Sequence, residues 1–273
     1  MSRPTDADAA PTATFHVDSH PDPGDVVLAG FSQYGLAGLT AVDYLVDHLD
    51  LEQTGHIRTD GLPSITPFEQ GRPRHPTRLY SRPELDVTVL VGELFVPVST
   101  AESFSEAVLA WTEESGVEEV AVLSGVPVPH GPNEHRAFYV ATDDYRERRF
   151  PGADAGTSGT APDGDEEDDA ESERPPVAPM GTGFLDGTNA ALVARGMDTS
   201  MGVCVYVTPV HQQVPDVEAA IRLLDAVESV YGLGVDTAPL ESFAAEVQQY
   251  YQNLADRLSE AREEEQPLDR MYM

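Results

Sequence analysis

Histidine is the side chain best suited to acid–base work near neutral pH, and three of the eight in this chain, His130, His135 and His211, occupy loops that follow apolar runs. His130 and His135 bracket Gly131-Pro132-Asn133-Glu134, and His211 comes just after the run Met201 to Val207. Loops at the carboxyl ends of sheet strands are where α/β proteins bind ligands, so each is a candidate general base. Their spacing matches no metal signature, and a loop histidine is more commonly solvated or locally hydrogen-bonded. No catalytic residue, metal or cofactor is therefore assigned. Gly30, Gly35 and Gly38 sit at a strand-to-helix turn of the kind that cradles phosphate, but they follow neither G-x-G-x-x-G nor a loop ending in Gly-Lys-Ser/Thr. Close packing of a helix on a strand accounts for them better. Ser124-Gly125 lacks the five-residue nucleophile-elbow frame. Cys204 lies inside an apolar run, the setting of a buried small hydrophobe. Arg72, Arg74, Arg78 and Arg82 form a basic cluster, expected to pair with the protein's own acids.

A different chemistry is written into the last three residues, Met271, Tyr272 and Met273. An apolar side chain, an aromatic ring with one polar tip and a free carboxylate give three distinct contacts, which suits capture of a chain end in a partner's pocket.

The elements that must position these groups belong to a very acidic chain. Sixteen basic residues, all arginine, face 48 acidic ones, for a formal charge of -32 over 273 residues. Such a surface repels itself in dilute buffer, and molar salt screens the repulsion within about 3 Å. The composition is that of a halophile's cytoplasmic protein, and its field disfavours nucleic acid and anionic membranes. One cysteine excludes a disulfide framework. The first residues show no signal-peptide pattern, and no window approaches a membrane span.

Asp25 to Phe31, Asp86 to Gly92 and Glu119 to Gly125 are unalternating apolar runs, each reaching or passing a glycine, the pattern of strands covered on both faces. Leu36, Leu39, Val42, Leu45 and Leu49 recur at helical spacing between the first two. Ser99 with Glu102 reads as a capping box ahead of a helix through Trp111. Ala137 to Ala141 and Met201 to Thr208 are further strands. Gly181 to Gly187 leads into a helix through Arg195, and Asp216 caps another that ends at Gly232. This order predicts a three-layer α/β/α domain with a largely parallel central sheet over 25–238, interrupted by a solvated acidic insertion at 151–179. Residues 1–24 read as a disordered lead. A long C-terminal helix is expected over 239–265, with a heptad seam from Leu240 through Ala261, and 266–273 as a docking tail.

In order, the segments Asp25 to Gly38, Asp86 to Gly92, Glu119 to Gly125, Gly181 to Gly187, Gly202 to Thr208, Asp216 to Leu224 and the closing helix resemble the proteasome assembly chaperone two family. That resemblance implies a fold similar to purine nucleoside phosphorylases, homo-oligomers and no established catalytic residues. Archaeal members with a hydrophobic-tyrosine-any ending look like factors that bind the α-ring of the proteasome core particle. Met271, Tyr272 and Met273 fit that ending, with the carboxylate meeting a lysine between two α-subunits. The function implied is a non-enzymatic, ATP-independent proteasome-binding protein, either assembly chaperone or activator. The alternative is a nucleoside phosphorylase-like or hydrolase-like enzyme working through the loop histidines.

Overall fold

A computed structural model describes residues 13–20, 23–130, 136–151, 177–211, 215–242 and 244. The chain divides into two units, Met1–Val235 and Asp236–Met273. The first runs β1 (Thr14–Ser19), β2 (Val26–Phe31), α1 (Ala37–His48), β3 (Glu52–Asp60), β4 (Phe68–Glu69), β5 (Arg72–Pro73), β6 (Thr77–Ser81), β7 (Val87–Gly92) and α2 (Ala101–Glu114). It continues with β8 (Glu119–Val126), β9 (Phe138–Ala141), α3 (Asp143–Arg149), β10 (Ala178–Pro179), α4 (Gly187–Met197), β11 (Gly202–Pro209) and α5 (Val217–Tyr231). In the second unit, residues 238–242 and 244 are helical, and Ala238 N–H is held by the Asp236 carboxylate. The rest of the expected long helix lies outside the described residues.

Among the described residues, nine strands form one sheet in the order β1-β3-β6-β7-β2-β8-β11-β9-β10. Its centre, β7-β2-β8-β11, is parallel throughout. These strands are buried almost end to end, as expected of an apolar run that meets helices on both faces. The helices α1 and α5 pack together over one face, and α2 and α4 over the other. On the α2 side, Phe104 takes Phe15 and Phe31 edge-on, with ring centroids 5.2 and 5.5 Å away. The fold is the expected α/β/α three-layer arrangement.

Beyond the parallel centre, β6, β3 and β1 add an antiparallel wing. This corrects the disordered lead for Thr14–Ser19, where Phe15 is buried and Val17 packs against the core. A six-residue strand inside a polar segment shows too few alternations to stand out by itself. The acidic insertion also ends earlier than expected. Val177 is buried and β10 pairs with β9, so the chain has rejoined the sheet before Pro179; residues 152–176 lie outside the described residues. The capping box at Ser99 does not form. A turn of 3₁₀ helix over Val98–Thr100 moves the cap to Thr100, whose hydroxyl donates to the Pro97 carbonyl at 3.1 Å.

Candidate functional site

The chain leaving β2 turns toward β7, whereas the chain leaving β8 turns toward β11. Adjacent parallel strands whose connections diverge leave a crevice at their carboxyl ends, and the polar groups gather there. Gly30 and Gly38 bring the floor of this crevice together. A Cβ on Gly38 would run into the Leu123 carbonyl, and one on Gly30 into the Gly38 carbonyl. Helix α1 therefore rests backbone against backbone on β2 and β8, which is the packing role expected of these glycines. Gly35 serves the turn, with φ of 64°, and Leu36 follows at φ 49°, a left-handed conformation that strains a residue with a Cβ. Its cost is offset by neighbours that hold the loop: Asp216 N–H donates to Gly35 O at 2.8 Å, and Val210 packs where a Gly35 Cβ would sit.

Two polar groups line this edge. In the first, Ser124 at the end of β8 donates to Gln33 Oε1 at 2.7 Å, and Asn189 Nδ2 in the first turn of α4 donates to Ser124 Oγ at 2.8 Å. Asn189 Nδ2 also reaches Gln33 Oε1 at 3.2 Å. Ser124 and Asn189 are buried, and this closed set pins three segments to one another. In the second, His211 Nδ1 lies 2.7 Å from Asp216 Oδ2, and the ring of His130 stands 4.6 Å from that of His211. Asp216 is buried and is the N-cap of α5, accepting from Ala219 N–H at 3.0 Å. A buried carboxylate that orients an exposed imidazole can support proton transfer. Of the predicted histidines, His130 and His211 meet here, while His135 lies outside the described residues. The grouping of all three was missed because 86 positions separate His130 from Asp216; the five-residue step from His211 to Asp216 and the helix-capping position of Asp216 were the signals the sequence offered.

A sequence model of the PAC2 family matches residues 27–255. The chain belongs to the PAC2 family. Its fold is similar to that of Pyrococcus furiosus PbaA, an archaeal homolog of proteasome-assembly chaperone, at 17% identity and TM-score 0.74 over 94% of this chain and 100% of that one. It is likewise similar to Pyrococcus furiosus PbaB, an archaeal proteasome activator, at 18% identity and TM-score 0.70 over 89% and 99%. A PAC2 family protein from Streptomyces avermitilis superposes at 20% identity and TM-score 0.56, over 85% and 96%. No curated protein matches the sequence. At these identities the structural likeness establishes the fold of this PAC2 chain.

The remaining predicted groups find structural roles in this PAC2 fold. Arg78 is buried and reaches Glu93 Oε2 at 3.0 Å, the Tyr80 hydroxyl at 2.7 Å and His75 O. Arg74 spans Glu69 and Glu93, and Arg82 reaches Leu49 O and Glu84. Three of the four clustered arginines are thus self-paired, as expected; Arg72 is exposed on β5. Cys204 is buried, and burial pushes its thiol up, with hydroxyl contacts from Tyr145 and Tyr206 pulling the other way. That rules against an activated thiolate. Cys204 belongs to a polar set that also holds Glu119, at the opposite end of β8 from Ser124. Tyr145 bonds Tyr206 and Tyr231 at 2.9 and 2.6 Å, and Arg149 Nε grips both Glu119 oxygens at 2.9 and 3.1 Å. Among the described residues no helix is long and apolar enough to cross a membrane. Met271, Tyr272 and Met273 lie outside the described residues.

Proposed function

We propose that this PAC2 chain is a non-enzymatic, ATP-independent proteasome-binding protein of the cytoplasm, an assembly chaperone or core-particle activator. It docks Met271, Tyr272 and Met273 into pockets of the proteasome α-ring. The observation that carries the reading is the near end-to-end likeness of its fold to PbaA and PbaB, together with family membership. The chemistry of the tail supports the mode of binding. Tyr272 and Met271 supply apolar contact that concentrated salt does not weaken, whereas the carboxylate's attraction to a lysine is screened. A single tail binds weakly. A homo-oligomer presenting several tails to repeated pockets gains on the order of 10²–10⁴ in avidity if the spacing fits.

The test is co-purification of the untagged chain with purified α-rings in molar salt. Deleting Met271 to Met273, or extending the chain past Met273 by a few residues, should abolish binding while the fold and oligomer persist. Unchanged binding by either variant overturns tail docking.

One observation favours a second reading as an enzyme of the nucleoside phosphorylase or hydrolase type. The His211–Asp216 pair with His130 beside it is arranged as a general base would be. Release of free base from nucleosides, with and without phosphate, that survives tail deletion and disappears in His211→Ala would support this reading over the first.

A further inference from the structure

Donor side chains from the loop after β8 and from the connection between β11 and α5 converge where these elements meet. One donor atom from each of His130, His211 and Asp216 lies within 4.8 Å of the other two. Asp216 and His130 are each held from behind. Asp216 Oδ1 accepts from Ala219 N–H, and Oδ2 accepts from His211 N–H at 2.9 Å. His130 Nδ1 lies 2.8 Å from Val128 O. A carbonyl can only accept, so Nδ1 carries the proton and Nε2 keeps the lone pair. Fixing an imidazole's tautomer through a backbone carbonyl is how metal-ligating histidines are commonly oriented.

We propose that His130, His211 and Asp216 bind a divalent transition metal of the zinc class. Two imidazoles and a carboxylate match that class, whereas calcium and magnesium are served by oxygen donors. The ion would replace the proton shared by His211 Nδ1 and Asp216 Oδ2, which passes to solvent. Tetrahedral coordination with bonds of about 2.0–2.1 Å requires donors about 3.3 Å apart. The 2.7 Å pair therefore opens by roughly 0.6 Å, and the farthest donor closes by up to roughly 1.5 Å, shifts within reach of side-chain rotation. The positive end of α5 opposes a cation, but that end amounts to about half a charge against the full charge of Asp216. Three protein donors leave a fourth position for water. Bound metal would tie the loops after β8 and β11 to the start of α5. The proposal does not rest on tail docking.

The test uses the untagged full-length chain, stripped with chelator, loaded with zinc chloride alone in molar salt and passed through a column containing a weak competing chelator. That competitor removes ions held loosely by surface carboxylates. Wild type should retain about one zinc per chain. His130→Ala and His211→Ala should each weaken binding at least about 100-fold, and Asp216→Asn, which preserves the helix cap, about 10–100-fold. A His56→Gln control, at a histidine elsewhere on the fold, should retain wild-type zinc. Cobalt loaded in place of zinc should give the intense visible absorption of a four-coordinate ion. Failure of wild type to retain zinc, or equal retention by wild type and both histidine variants, overturns the proposal.

Discussion

Replacing Gly38 by alanine sets two effects against each other, and the structure decides the sign. Gly38 lies in the first turn of α1, where alanine is favoured over glycine by about 1 kcal/mol on helix propensity alone. The added Cβ, however, would overlap the Leu123 carbonyl oxygen and stand 2.7 Å from its carbon. That obstacle is strand backbone, held between β2 and β11, and cannot swing aside as a side chain would. Overpacking costs about 1–3 kcal/mol and sometimes more, and a backbone obstacle belongs at the upper end. The net expectation is a loss of about 2 kcal/mol, the difference between those two terms. For a chain of this size that lowers the thermal midpoint by roughly 4–8 °C. Circular dichroism melts in one molar-salt buffer measure it. Gly232→Ala is the comparison, because Gly232 has φ of 62° with nothing within 4 Å of its Cβ position. It should lose only about 1 kcal/mol, from backbone conformation. If Gly38→Ala melts at or above wild type, α1 does not lie on β8 as described, and the crevice built on that contact falls with it.

At the amino edge, Glu119→Gln strips a buried carboxylate from Arg149, Arg148 and Tyr231. Breaking a fully buried pair costs about 3–5 kcal/mol, but both arginines are about one-third exposed and water takes over part of their solvation, so about 2 kcal/mol is expected in the same melts. A variant as stable as wild type would mean the pair merely offsets its own desolvation. On the antiparallel wing, His56 and His75 stack at 3.7 Å. Burial first, then the neighbouring His75, holds the His56 imidazole below its usual 6.5, while Asp18 opposes. The folded state thus binds fewer protons than the unfolded chain near and below pH 6.5, and this stability is lost as pH falls through the folded value. His56→Gln should therefore lose less stability than wild type between pH 7.5 and 5; parallel loss in the two would remove His56 as a cause.

The parallel centre was legible because strands covered on both faces are apolar at nearly every position, and the four runs are, with Thr88, Glu119, Ser124 and Thr208 as the exceptions. Asp216 and Gly232 were legible for a local reason, since caps obey short-range geometry. The antiparallel wing was not. In β3, Glu52–Asp60, one residue of nine is buried, so no run or alternation marks it as a strand; β6 buries Arg78, whose charge is matched by Glu93, 15 positions later. The same distance problem hid the candidate site. Gln33, Ser124 and Asn189 are unremarkable alone, and only the crossing order of the sheet brings them within hydrogen-bonding distance.

The two ends of the central sheet carry polar groups of opposite character, and the contrast bears on where function resides. At the amino end, Glu119 is buried with its oxygens shared among Arg149, Arg148 and Tyr231, while the Tyr145, Tyr206 and Tyr231 hydroxyls complete the set. Such a satisfied network rigidifies the fold and offers a ligand little. At the carboxyl end, Leu36 sits in a left-handed conformation beside the half-exposed Tyr34, and His211 is 59% exposed against the buried Asp216. Strain of roughly 1–3 kcal/mol persists where surrounding structure enforces it, and clusters where ligands are handled. Asp216 is the enforcing residue, since its N–H holds Gly35 and its carboxylate holds both His211 and the start of α5. Disturbing Asp216 should therefore move the β2 loop and His211 together, which makes the carboxyl edge one coupled unit rather than three adjacent loops.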